Sequence, residues 1–242
     1  GGQENMSIAP HALLYRNDKK LLEDKLTDTM IYDGLVDAFN NYHMGVTAEN
    51  IAEKFKISRQ EQDDFALKSQ KKTQLSLEQN RFKDELVLVN FDGSSLNVDE
   101  HPRKNLKAED LKKLNTVFKE NGTVTPGNSS GINDGAAAVI LTSLDEAKKK
   151  SLKPLAKIVS WSSVGVEPSL MGLGPIDAVK FALKKANWKI EDVDLFEINE
   201  AFAAQSIAVI RELNIDENKV NVNGGAIALG HPIGASGARI LV

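Results

Sequence analysis

Cysteine is absent from this sequence, which excludes disulfides, thiolate metal sites and a cysteine nucleophile within its 242 residues. No apolar run approaches the ~20 residues that a membrane-spanning helix needs. There is no charged opening followed by an apolar stretch of the secretory type. Charge of one sign is missing too: 30 Lys+Arg against 34 Asp+Glu leaves a net −4, no basis for a nucleic-acid or membrane-surface partner. Neither glycine fingerprint for nucleotides, G-x-G-x-x-G or the P-loop, fits any glycine cluster in the chain. The first residue is Gly1 rather than an initiator methionine, so the start is not expected to be the natural one.

What is present is an ordinary folded composition, 41% hydrophobic and 26% charged, long enough for one large core or two small ones. The two halves differ. Up to about Phe118 the chain is charge-rich and patterned for helices. "TDTMIYDGLVDAFN" places Ile31, Leu35 and Phe39 on one face behind a cap at Thr27 or Asp28. "TAENIAEKF" starts at Thr47 and buries Ile51 and Phe55. "SRQEQDDFALKSQ" opens with a capping box, Ser58 with Glu61. "DELVLVNF" alternates like a strand, and "HALLYRNDKKLLED" reads as an amphipathic hairpin, a candidate intersubunit contact or an ordinary edge.

From Gly131 the composition turns to glycine, alanine and valine. "DGAAAVILTS" predicts a strand buried on both faces, and "PLAKIVSWSSVGV" another strand. Between them, "SLDEAKKKS" is a short polar helix. Pro175 starts a helix that carries Ile176, Val179 and Leu183 at helical spacing and ends in lysines. "DLFEI" and "KVNV" read as strands around the helix "NEAFAAQSIAVIREL", whose buried stripe is Phe202, Ser206, Val209, Ile210 and Leu213. A further helix opens in "GASGARILV". Strands alternating with helices predict an α/β layered fold, in which sites gather where strand ends meet helix starts.

Four places carry candidate chemistry. Asn199 lies at a strand end beside a helix start, placed either to hold a water and donate to an oxyanion or simply to cap the helix. His231, in "NGGAIALGHPIGASGAR", precedes Pro232, which restricts its backbone to extended geometry and allows a rigidly aimed imidazole; the alternative is an incidental loop histidine. Asn128, Ser129 and Ser130 either hydrogen-bond an extended ligand or shape a turn. His43 and Met44 precede a helix, where the alternative is a packed histidine at its entry.

Taken together, "GGQENMS", "HMG" with "TAEN", "TVTPGNSSGINDGAAA", "NEAFA" and "NGGAIALGHPIGASGAR" resemble the thiolase family, in that family's order and from the first residue to the last. The resemblance implies an incomplete thiolase-like layered αβαβα fold of the α/β class with a mainly helical loop domain. It divides the chain into the tail of an N-terminal domain (1–7), a CoA-binding and oligomerisation loop domain (8–130), the last strand and helix of the N-terminal domain (131–152) and a C-terminal domain (153–242). The implied chemistry is Claisen condensation or thiolysis of acyl-CoA thioesters at an acylated cysteine. In that scheme His231 is the base that activates the cysteine and helps bind a thioester oxyanion, and Asn199 holds the water that completes the oxyanion hole. Ser130 contacts the pantetheine arm, Leu35, His43, Met44 and Phe118 line its tunnel, and Phe202 counts among the CoA-contacting residues. Arg103 falls near the CoA adenine, and Asp110 stands where some relatives have a serine on that side.

The His43–Met44 pair resembles the short-chain biosynthetic branch, acetyl-CoA C-acetyltransferases that join two acetyl-CoA into acetoacetyl-CoA; a degradative 3-ketoacyl-CoA thiolase is the alternative within the family. The resemblance further implies acetyl-CoA and acetoacetyl-CoA as partners, CoA as substrate or product rather than cofactor, and no metal. It implies a homodimer or homotetramer, a cytoplasmic setting, and neither nucleic acid nor membrane as partner. The nucleophilic cysteine of the family precedes "GGQENMS" and its second cysteine follows Val242, so the chain reads as an internal fragment. Loss of a covalent nucleophile costs about 10⁶-fold where measured in a protease, and the chain alone is expected to show no turnover. The remaining possibility is an inactive CoA-binding or subunit-contact module.

Overall fold

Polar side chains cap the starts of three of the described α-helices, those that follow His43, Ser58 and Ser143. The computed structural model describes residues 1–13 and 26–242. The expected hairpin over 11–24 lies mostly outside the described residues. A short antiparallel pair joins β2 (His11–Ala12) to β3 (Thr27–Asp28), and β1 (Gly2–Glu4) precedes them. The helix expected from Thr27 to Asn40 forms only as a single widened turn, Met30–Leu35. Asp28 Oδ1 caps it at the Met30 N–H (2.9 Å), and the Asp37 carboxylate collects the Phe39 and Asn40 N–H groups into a turn that stops it. Phe39 is therefore 81% exposed rather than on a buried face.

Helix α1 (Met44–Phe55) begins three residues before Thr47. His43 Nδ1 accepts the Gly45 N–H at 3.0 Å and is the cap, while the Thr47 hydroxyl bonds back to the Met44 carbonyl. Helix α2 (Arg59–Glu78) starts with the expected capping box of Ser58 and Glu61. Its buried side is polar: Gln62, Asp63, Ser69, Gln70, Thr73 and Ser76 are all buried. Each reaches a loop of the other half of the chain or the turn before it, so α2 is held by hydrogen bonds as well as by the burial of Phe65 and Ala66 in the core.

The strand expected over 84–91 is reduced to β4 (Val89–Phe91), an exposed hairpin with β5 (Ser94–Leu96) across Asp92 and Gly93, both at positive φ. The two-residue turn sets the register, and the residues before Val89 find no ladder partner among the described residues. Helix α3 (Ala108–Lys112) follows, with Leu111 buried and its carbonyl taken by the Arg59 guanidinium. In β6 (Gly135–Ala137), paired antiparallel with β1, only part of the expected buried strand forms; Ile140 and Leu141 are 95% and 68% exposed. Residues 154–166 form no strand at all. A ladder needs a neighbour, and these runs have at most one.

Helices α4 (Leu144–Lys149), capped by Ser143, and α5 (Gly174–Ala186), with Pro175 in its first turn and Lys184 and Lys185 in its last, match the sequence. The expected strands 194–198 and 219–222 meet through one parallel bridge, Phe196 with Val220. Beyond it Asn221, at φ +44°, replaces the ladder with its side chain: Oδ1 accepts the Ile198 N–H and Nδ2 donates to the Ile198 carbonyl, both at 2.8 Å. At the centre lies α6 (Ala203–Glu212), buried on every side from Ala203 to Ile210 rather than along one stripe. It packs on α1, α2 and the 168–173 turn. Helices α7 (Ala226–Leu229) and α8 (Ile233–Arg239) close the described structure, α8 against β1 and β6.

Candidate functional site

His231 sits between α7 and α8, fastened from three directions. Its backbone N–H donates to Asn133 Oδ1 at 3.1 Å. Its Nδ1 lies 2.6 Å from Ser236 Oγ, and its Nε2 lies 3.2 Å from Asn199 Nδ2. Gly230, at φ +103°, is required here: a Cβ would stand 2.6 Å from the Asn133 side chain. Burial, and then the charge of Arg239, push the His231 imidazole below its ordinary value. A half-buried imidazole that resists protonation keeps a lone pair available near neutral pH, as a general base requires.

Asn199 does not cap α6. The N-cap is Phe202, and the Ala203 N–H goes to the Asn128 carbonyl at 2.9 Å. The carboxamide is free to face His231 instead, and Asn199 Oδ1 is buried without a partner. The next residue is the deepest titratable group here. Glu200 is buried to 1% exposure; it accepts from the Ser69 hydroxyl (2.7 Å), Asn221 Nδ2 (2.8 Å) and the Ile227 N–H (3.2 Å). Burial pushes its carboxyl above the ordinary value against the pull of those donors and of Lys72. Glu200 thus joins α2, the 219–222 segment and the first turn of α7, and so ties the Asn199 turn to the histidine loop. Gly225 is needed beside it, since a Cβ would meet the carboxylate at 2.2 Å.

The 123–130 loop docks on the same place. Asn128 is fully buried, its Nδ2 on Asp63 Oδ1 (2.9 Å) and its Oδ1 on the Thr125 N–H (2.8 Å). The Ser130 N–H and hydroxyl both donate to the Ala201 carbonyl at 3.0 Å, which leaves the Ser130 oxygen able to accept. Ser129 bridges Phe202. Beside this seam runs an aromatic line: the His43 ring stacks on Phe118 (4.6 Å between centroids, 18° between planes), and Phe118 meets Phe202 edge-on at 6.2 Å. Gly45 makes the stack possible, because a Cβ there would meet the Phe118 ring at 2.2 Å. Burial lowers the His43 imidazole, favouring a neutral ring against Phe118. Leu35 and Met44 are half-buried flanking residues; Val36, next to Leu35, pairs with His43.

Arg103 and Asp110 take no part in the His231–Asn199 contact. The Arg103 N–H donates to Gln70 Oε1, and the residue lines a small recess with His101, Leu106, Leu111 and Ile227. Asp110 caps α3 and pairs with Lys113. A surface cavity of about 270 Å³ lies toward the far end of α1 from His43, between Glu49, Glu53, Lys56, Lys119 and Thr123, and includes no expected site residue. Among the described residues no group of three metal-ligating side chains occurs. Missed in the sequence were Asn133, Ser236 and the buried polar face of α2. Only the regular spacing of small polar residues along α2 signalled the last.

Residues 1–145 match the family model for the thiolase N-terminal domain and residues 152–242 the model for the thiolase C-terminal domain. The chain belongs to the thiolase family. It is 52% identical over its whole length to a cytosolic acetyl-CoA acetyltransferase of Rattus norvegicus, of which it covers 62%, and 53% identical to an acetyl-CoA acetyltransferase of Pseudomonas aeruginosa, of which it covers 63%. Its fold is that of the thiolases: it superposes on the Bacillus anthracis acetyl-CoA acetyltransferase with a TM-score of 0.95 at 45% identity, covering 100% of this chain and 62% of that one. The human mitochondrial 3-ketoacyl-CoA thiolase in complex with CoA gives 0.95 at 46% identity, with 99% and 61% covered. The chain therefore spans less than two thirds of the length of these relatives.

Proposed function

We propose that this chain carries the base, oxyanion and pantetheine-binding portion of an acetyl-CoA C-acetyltransferase, which joins two acetyl-CoA into acetoacetyl-CoA and CoA or runs the thiolysis in reverse. The contact that carries the reading is His231 Nε2 against Asn199 Nδ2 at 3.2 Å, where the turn before α6 meets the loop between α7 and α8. In this reading Nε2 takes the proton of the nucleophilic cysteine thiol and then, as N–H, donates to the thioester oxygen. The Asn199 amide supplies the second donor, directly or through a water. A positioned base contributes about 10²–10⁴ in rate and an oxyanion donor about 10²–10³. The acylated sulfur lies outside these residues, since the chain has no cysteine. The pantetheine arm runs past Ser130, whose oxygen accepts, and along His43, Phe118 and Phe202, with Leu35 and Met44 beside them. Arg103 is assigned to the adenine end.

The acetyl-specific reading is supported by the two relatives above, both named acetyl-CoA acetyltransferases. A degradative 3-ketoacyl-CoA thiolase is the second reading, favoured by the equal superposition on the human mitochondrial enzyme. A cytoplasmic setting and homo-oligomeric assembly extend the first reading. Among the described residues no helix is long and apolar enough to cross a membrane. Calorimetric titration of CoA into the purified chain tests the reading. One saturable site is expected, lost in Ser130→Trp; the absence of saturable heat, or unchanged affinity in that variant, overturns it. In an acetoacetyl-CoA thiolysis assay the chain by itself is expected to be silent, and rates near those of the family would overturn the assignment of the nucleophile to residues outside it.

A further inference from the structure

We propose that Ser236 is a positioning residue that sets the tautomer of His231, holding the ring proton on Nδ1 so that Nε2 carries the lone pair. Ser236 Oγ lies at once 2.6 Å from His231 Nδ1 and 2.9 Å from the Pro232 carbonyl. A hydroxyl has one proton and two lone pairs, and a carbonyl can only accept. Both contacts are hydrogen bonds together in a single arrangement: Ser236 donates to Pro232 and accepts from Nδ1–H. The neutral imidazole then has no proton on Nε2, and the Asn199 amide N–H faces that lone pair. Ser236 is 4% exposed, so water does not compete for its oxygen. It sits in the first turn of α8, five residues from His231, and so moves with the loop it organises. The Asn133 bond to the His231 backbone fixes where the ring starts, but leaves the choice of nitrogen open.

The consequence for rate rests on the function proposed above; the tautomer does not, so the two fail separately. The test is a long-range ¹H–¹⁵N correlation spectrum of the uniformly ¹⁵N-labelled chain at about pH 8, above the ordinary imidazole value of about 6.5. Of the four histidines, His231 is assigned by the signal lost in His231→Gln. In the native chain the expected spectrum shows a protonated-type Nδ1 and an unprotonated-type Nε2. In Ser236→Ala the majority proton moves to Nε2, where the Asn199 carboxamide turns its unpartnered Oδ1 to accept it, with the signals of His11, His43 and His101 unchanged as the check on folding. Asn199→Ala is expected to keep the native tautomer. A native Nε2–H form overturns the proposal. So does a Ser236→Ala spectrum with Nδ1 still protonated, or a tautomer that switches in Asn199→Ala instead. Should Ser236→Ala fail to fold, the native and Asn199→Ala spectra still decide.

Discussion

Replacing Glu200 with alanine removes the one acceptor shared by three parts of the molecule. The Ser69 hydroxyl, Asn221 Nδ2 and the Ile227 N–H all donate to it inside a site closed to solvent. Leaving a buried donor without an acceptor costs about 1–3 kcal/mol. Against that stands relief of a buried carboxylate, whose raised proton affinity shows that desolvation already weighs on it. The Asn221 amide remains anchored on Ile198, so its donor cannot turn away. The expected net loss is about 3–5 kcal/mol, of the order of a typical domain's whole margin. Glu200→Gln keeps the volume and one oxygen, which can still accept from Ser69 and Ile227, but sets an amide NH₂ against Asn221; about 1–2 kcal/mol is expected. Urea unfolding followed by circular dichroism, with linear extrapolation, reads both values. The sign with pH is fixed as well. A raised folded-state value means the native chain keeps its proton above the ordinary carboxyl value of 4.5, where the unfolded chain has lost it. Stability from this group therefore falls as pH rises from there through the folded value, and Glu200→Gln flattens that step. Losses below about 1 kcal/mol in both variants would refute the view that this carboxylate ties the loops together.

Gly230→Ala is expected to cost about 1–3 kcal/mol from the positive φ alone, and more because its Cβ displaces Asn133; loss of the His231 amide's protection from hydrogen exchange checks it. Glu61 is expected to titrate at about 2 by carboxyl NMR, held down by the Ser58 hydroxyl and N–H and then by Arg211; Ser58→Ala should raise it more than Arg211→Met does. The His231 imidazole is expected to titrate below 6.5, so its contribution to stability is whole above that pH and is lost as pH falls into the window beneath it; Arg239→Met should narrow that window.

Local chemistry was legible where a residue's partner lies a few positions away. The Ser58–Glu61 box, the short polar helix over 144–149 and Pro175 in the first turn of α5 all appear as read, because each depends on its own segment. The histidine and asparagine turns were legible through their motifs, and the fold places them in contact. Strands were not. The apolar runs at 138–143 and 154–166 carry strand patterning, but a strand exists only through its neighbour, and among the described residues those neighbours are few. His43 was read as a ligand residue or a packed ring, and its cap on α1 was hidden because imidazole seldom fills that role. The helical spacing of Ser69, Thr73 and Ser76 marks the polar face of α2, but its partners lie up to 157 residues away, so no local pattern names them.

The most direct measurement is an NMR titration of acetyl-CoA into the ¹⁵N-labelled chain, following the His231 ring nitrogens and the Asn199 side-chain amide together, with free CoA as the comparison. If the two groups share the thioester, both move along one saturation curve with acetyl-CoA and respond less to CoA, which lacks the acyl oxygen. If acetyl-CoA moves only signals near Phe118 and His43, or moves His231 and Asn199 on separate curves, the pair does not form one acyl site.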